Sequence, residues 1–106
     1  MRTHAALPKV MCKERGACLA GARLCDGMRP GVIQLATGAW YDPDIPGQMG
    51  ALCKHGNANV LTLDKGASQF SQGCSAQSAL VQVERFDAPL PPVTAFDPPA
   101  FVARDT

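Results

Sequence analysis

Residues 53–77 read CKHGNANVLTLDKGASQFSQGCSAQ. Three carboxamides, Asn57, Asn59 and Gln72, stand there among glycines and small side chains, and only residues 60–63 break the polar character. A carboxamide presents two donors and an acceptor in one plane, so it reads the edge of a heterocycle without bringing a charge. Neighbouring glycines let backbone come close to a flat or phosphorylated ligand. The stretch therefore predicts a cofactor-facing surface built from short turns.

The segments on either side fit a small β domain. Residues 10–13 form a candidate strand, closed by a turn at Glu14-Arg15-Gly16, and Leu19, Ala20, Ala22 and Leu24 are candidate wall residues. Asp26-Gly27 signals one turn and Arg29-Pro30-Gly31 a stronger one, because Pro presets φ and the following Gly accepts positive φ. Val32-Ile33-Gln34-Leu35 then reads as a short, largely buried strand. Residues 59–63 read as a single helical turn, with Asn57 and Asn59 as alternative N-cap residues, and Asp64-Lys65-Gly66 as the turn after it. Residues 79–84 give the clearest strand, with Leu80, Gln82 and Glu84 on one face and Val81 and Val83 on the other.

Two stretches carry no period. Residues 37–54 hold the only Trp and the only Tyr. Trp40 and Tyr41 each need a surface to lie on, so an ordered loop is expected. It is either a wall over a ligand or neighbouring domain, or a loop pinned by its own aromatic anchor. Asp42 and Asp44, flanking Pro43, read as solvated turn residues rather than a catalytic pair. Beyond Phe86, prolines at 89, 91, 92, 98 and 99 exclude a central strand. That tail is expected to run extended, ordered where Leu90, Val93, Phe96 and Phe101 find something to cover.

Composition excludes several classes of function. The chain has 106 residues, 46% apolar and 18% charged, with a formal net charge of +1, which supports one domain at most. There is no basic stripe or RNA-binding aromatic motif, so no nucleic-acid partner is expected. The apolar runs are too short to span a bilayer. The opening residues, MRTHAALPKVMCKERG, have no apolar h-region and no twin arginine, and no export signal is expected in them. The five cysteines, at 12, 18, 25, 53 and 74, make no CxxC pair. With His4 and His55 they make no zinc-finger spacing, and they read as small apolar residues. The serines at 68, 71, 75 and 78 find no His–Asp partners for nucleophilic catalysis.

Residues 14–43, ERGACLAGARLCDGMRPGVIQLATGAWYDP, and 55–86, HGNANVLTLDKGASQFSQGCSAQSALVQVERF, resemble one known family. It is the C-terminal cofactor-binding domain of the molybdenum oxidoreductases of the dimethyl sulfoxide reductase family. The members most similar are the trimethylamine N-oxide, dimethyl sulfoxide and biotin sulfoxide reductases. VTAFDPP at 93–99 is similar to the tail of the N-oxide reductases. The resemblance implies a mainly β fold: a double-psi β-barrel, partial here, with long loops and a Pro-rich extended tail. Residues 1–9 would be a disordered lead-in, 10–88 the truncated barrel and 89–106 the tail. It also implies a bis(molybdopterin guanine dinucleotide) molybdenum cofactor, bound together with further domains of a parent enzyme that removes oxygen from an N-oxide or S-oxide.

By the same resemblance, His55, Gly56, Asn57 and Asn59 form one cofactor-binding block and Gln72, Gly73 and Cys74 a second. Arg15 stands in the family's arginine–glycine turn. Glu14 replaces a usual aspartate, and Ala58 stands where proline is common. Nothing before Val10 resembles the family's nucleotide-binding opening segment, and the metal-ligating side chain belongs to another domain. The chain alone is therefore expected not to catalyse. Related reductases are periplasmic or cytoplasmic, the periplasm being favoured for N-oxide reductases. The alternative is a stand-alone, non-catalytic barrel that uses the Trp40 loop or the proline tail as an interaction or carrier surface.

Overall fold

The computed structural model describes the backbone of residues 8–12 and residues 15–75 and 79–105 in full. Three strands, β1 (Pro8–Cys12), β2 (Gly16–Leu19) and β3 (Gln82–Arg85), form one antiparallel sheet in the order β2-β1-β3. β1 pairs Lys9 with Leu19 and Cys12 with Gly16 on one side, and Pro8 with Arg85 and Met11 with Gln82 on the other. Pro8 occupies the first position of this central strand, where its missing N–H does least harm to the ladder. The sequence expectation of a strand at 10–13 is thus met with earlier bounds; Lys13 and Glu14 lie outside the described residues. Arg15 occupies the expected turn, and Gly16 opens β2.

The sheet continues beyond β2 by single bridges. Cys53 pairs in parallel with Cys18 and antiparallel with Pro43. Leu19 N donates to Cys53 O and Cys53 N to Ala17 O, both at 2.9 Å. On its far side Asp44 N donates to Leu52 O and Lys54 N to Asp42 O, both at 2.8 Å. The irregular stretch 37–54 is therefore an ordered excursion. Its tip makes two turns, Gln48 N to Ile45 O and Ala51 N to Gln48 O, each with a glycine at positive φ, Gly47 and Gly50. Among the described residues these five extended segments form an open array in the order 43, 53, β2, β1, β3.

A small core lies under this array. Cys18 and Cys53 are fully buried and pack with Leu61, while Leu35, Val60 and Val81 cover the cluster partly. The two thiols act here as the small apolar residues expected. Cys25 and Cys74 are exposed instead. Leu61 belongs to a 3-10 turn, Ala58–Leu61, the only helix among the described residues. It matches the helical turn expected at 59–63.

Several expectations are corrected. Val32-Ile33-Gln34-Leu35 is not a strand, and Val32 and Ile33 are half exposed. The preceding turn forms as expected, with Val32 N donating to Arg29 O at 3.1 Å and Gly31 at φ 81°. No neighbouring segment among the described residues offers the following residues a ladder, and a strand without one stays irregular. Leu24 is 99% exposed rather than a wall residue. β3 begins three residues later than expected; among the described residues it pairs with β1 alone, and its four side chains are exposed.

The chain leaves much apolar surface uncovered. Its accessible surface is 9009 Å², against about 5,700 Å² for a free-standing monomer of this mass. Its radius of gyration is 16.5 Å, against about 13 Å for a compact domain of this length. Met49, Phe70, Leu80 and Phe101 stand almost fully in solvent.

Candidate functional site

Residues 53–61 run alongside β2. The bond from Leu19 N to Cys53 O starts this contact, and two glycines maintain it. Gly56 is buried with φ 83°, and a Cβ there would stand 3.0 Å from Leu19 O. Gly16 lies against the 3-10 turn, where a Cβ would meet Val60 O at 3.4 Å. Only glycine combines that left-handed backbone with such an approach. Arg15, Gly56, Asn57 and Asn59 are thereby carried along β2 and the turn packed on it.

Asn57 is the N-cap of the 3-10 turn, its Oδ1 accepting from Asn59 N at 2.8 Å. This is the capping alternative raised from sequence, and it engages only the oxygen. The Asn57 NH2 group, the Asn59 carboxamide and the backbone N–H groups of Gly56 and Asn57 have no partner among the described residues. Asn59 does not cap with its side chain; its carbonyl accepts from Thr62 N at 3.4 Å and from Thr62 Oγ1 at 3.0 Å.

Gln72, Gly73 and Cys74 lie on a second loop that closes on itself. Gly66 bridges Cys74, Ala67 N donates to Gly73 O at 2.6 Å, and Ser75 N donates to Lys65 O at 3.1 Å. Ser68 Oγ accepts from Phe70 N and Ser71 N, and Ser71 Oγ accepts from Gly73 N. The serines thus hold the loop's backbone. Gln72 is exposed, with no partner among the described residues. Phe70, at the tip, is 96% exposed.

The most tightly bonded polar cluster was not legible in the sequence. Asp42 is 4% exposed, not the solvated turn residue expected. Its Oδ2 accepts from Thr94 N at 2.7 Å and its Oδ1 from Thr94 Oγ1 at 2.8 Å. Lys54 Nζ donates to Thr94 Oγ1 at 3.0 Å and stands 3.6 Å from Asp42 Oδ1. Burial works to raise the Asp42 pKa, but the two Thr94 bonds and the Lys54 ammonium outweigh it and hold the carboxyl below its usual range. Asp44, by contrast, is exposed and accepts from Ile45 N. His55 is half-buried, with Nδ1 3.2 Å from Trp40 O and its ring edge-on to Phe96 at 5.2 Å. Trp40 leans on the same Phe96 at 5.9 Å. The Trp40 loop and the proline tail therefore pack on each other. Among the described residues no group of three His, Cys, Asp or Glu side chains could hold a metal ion, and no helix is long and apolar enough to cross a membrane.

Glycine-lined turns and unengaged carboxamides in a β-type domain suit a cofactor-binding module. Residues 11–80 match the family model described as "Molydopterin dinucleotide binding domain". The chain belongs to that family, as the molybdopterin dinucleotide-binding domain of the dimethyl sulfoxide reductase family.

Its relatives include the trimethylamine-N-oxide reductase of Salmonella typhi, 54% identical over 86 residues, covering 81% of this chain and 10% of that protein. Trimethylamine-N-oxide reductase 1 of Escherichia coli K12 is 52% identical over 80 residues, covering 76% of this chain and 9% of that protein. The dimethyl sulfoxide/trimethylamine N-oxide reductase of Cereibacter sphaeroides is 44% identical over 86 residues, covering 81% and 10%. The chain thus spans about a tenth of the length of the curated relatives it matches. The cofactor served by such a domain is molybdenum carried by molybdopterin guanine dinucleotide. The residues present fit it: the unengaged amides and carboxamides beside Gly56 suit a neutral ring edge that alternates donors and acceptors.

Proposed function

We propose that this chain binds bis(molybdopterin guanine dinucleotide) molybdenum as the C-terminal part of a larger reductase acting on N-oxides or S-oxides. His55, Gly56, Asn57 and Asn59 make the first contact block, and Gln72, Gly73 and Cys74 the second, with Arg15 at the turn into β2. The molybdenum and its dithiolenes supply the oxygen-atom transfer when bound. The chain's own residues bind and orient the organic part, and without the other domains the chain does not catalyse. In this reading residues 10–88 are a portion of a double-psi β-barrel that further domains complete, with 1–9 as lead-in and 89–106 as a tail laid over the surface.

The observation that carries the reading is the set of unengaged donors and acceptors at Gly56, Asn57 and Asn59, on a loop held against β2 by a glycine that no other residue could replace without strain. The uncovered apolar surface supports the dependence on a parent enzyme.

The test is the molybdenum and guanine-nucleotide content of the purified reductase carrying this domain. Asn59→Leu or Gln72→Leu is expected to weaken cofactor retention by roughly one to two powers of ten per site, the cost of orphaning a buried hydrogen-bond partner. Lys65→Ala serves as the exposed control. Full loading in an Asn59→Leu, Gln72→Leu double variant would discard the assignment.

A further inference from the structure

We propose that Thr94 and Phe96 of the C-terminal tail are positioning residues for the 53–59 loop: a clasp that fixes the geometry in which Gly56, Asn57 and Asn59 meet the cofactor. The inference rests on the cofactor reading above.

The loop is gripped from two sides. On one side β2 holds it, through Leu19 N to Cys53 O and the close approach of Gly56 to Leu19 O. On the other side the grip comes from the tail, 40 residues further along the chain. Thr94 takes both carboxylate oxygens of Asp42 and accepts from Lys54 Nζ. Asp42 in turn accepts from Lys54 N through its backbone carbonyl at 2.8 Å. Two residues on, the Phe96 ring touches the next pair, Trp40 at 5.9 Å and His55 edge-on at 5.2 Å, while His55 Nδ1 lies 3.2 Å from the Trp40 carbonyl; one face of Phe96 stays open, the residue being 70% exposed. Asp97 N donates to Thr94 O at 3.1 Å, so a turn sets the spacing that brings both side chains down together. Lys54 and His55 are thereby fixed immediately before Gly56 and Asn57.

The rest of the tail does not share this role. Phe101 and Val102 are almost fully exposed, so the contact is local to 94–97 and not general adhesion of a proline-rich segment. A loop that recognises a neutral ligand through a few hydrogen bonds gains most from being ordered beforehand, because freezing it on binding would oppose affinity. The clasp supplies that order without touching the ligand.

Two readouts test this, both in the reductase carrying this domain: amide hydrogen exchange at Lys54 and Asn59, and molybdenum content. Thr94→Val and Phe96→Ala are each expected to speed exchange at both amides about tenfold, the scale of one lost hydrogen bond, and to lower molybdenum content several-fold. Thr94→Ser, which keeps the hydroxyl, should match the unaltered protein in both readouts. Phe101→Ala should change neither. Unchanged exchange in Thr94→Val overturns the proposal, as does faster exchange with full molybdenum content. Acceleration that spreads equally to the Leu19 and Cys53 amides also overturns it, since the core would then be opening as a whole. Full loading in Asn59→Leu beside reduced loading in Thr94→Val would discard the carboxamide site and leave the clasp standing.

Discussion

Thr94 closes over Asp42 with both its backbone N–H and its hydroxyl, at 2.7 and 2.8 Å, across 52 residues of sequence. A buried carboxylate is costly unless its oxygens are satisfied. Here the tail satisfies them, adding a side-chain tie to the backbone bonds that already join the Trp40 loop to residues 52–54.

The first consequence is acid sensitivity. The folded state holds the Asp42 pKa below its ordinary value, so the group contributes stability that is present above about pH 4, the unfolded carboxylate range. It is lost as pH falls through the depressed folded value. Exchange at the Lys54 amide should therefore accelerate in that acid window beyond its intrinsic pH dependence. Asp42→Asn should exchange faster at neutral pH and lose that extra acid response. An unaltered chain with no acid response at this amide would contradict the clasp.

Alkali acts on the core. Burial, with a smaller contribution from Cys53, raises the Cys18 thiol from 9.0 to about 11. The unfolded chain loses this proton first, so stability is complete below about pH 9 and falls as pH rises toward the folded value. A two-unit shift corresponds to about 2–3 kcal/mol at most. Denaturant midpoints measured from pH 8 to pH 11 should show the decline, and Cys18→Ala should flatten it. At neutral pH a thiol reagent should modify the exposed Cys25 and Cys74 well before Cys18 or Cys53.

Gly56→Ala meets two obstacles at once, a φ of 83° and a backbone oxygen 3.0 Å from the new Cβ. The substitution should destabilise the 53–57 region by about 1–3 kcal/mol, read by hydrogen exchange or denaturant titration. Gly47→Ala shares the positive φ but has nothing within 4 Å of its Cβ, so it should cost less.

Isolated from other domains, the chain should be marginal and adhesive. Among the described residues the buried apolar core amounts to Cys18, Leu19, Ala51, Cys53 and Leu61, and Leu61→Ala should remove about 2–5 kcal/mol from it. Binding of a hydrophobic dye and concentration-dependent association are expected. A sharp, reversible thermal transition from a monomer at high concentration would show that the open sheet suffices by itself.

What the sequence determined by itself was local. Arg29-Pro30-Gly31 forms its turn with Gly31 at positive φ, Cys25 O accepts from Met28 N around Asp26-Gly27, and a single helical turn follows Asn57. Each outcome is settled within four residues, by the φ that Pro and Gly allow and by a side chain reaching its own backbone. The resemblance at 55–59 and 72–74 rests likewise on short runs of fixed composition, and their contact with the cofactor stays a proposal. Tertiary structure decided the rest. Val32-Ile33-Gln34-Leu35 has the composition of a strand, but pairing requires a neighbour that its own residues do not specify. Leu24 looks like a wall residue and stands in solvent, because burial depends on what is placed above a side chain. Asp42 has the composition of a solvated turn residue until Thr94 arrives from the far end of the chain. A carboxylate's environment is set by the groups that close over it, and no local pattern records which those are.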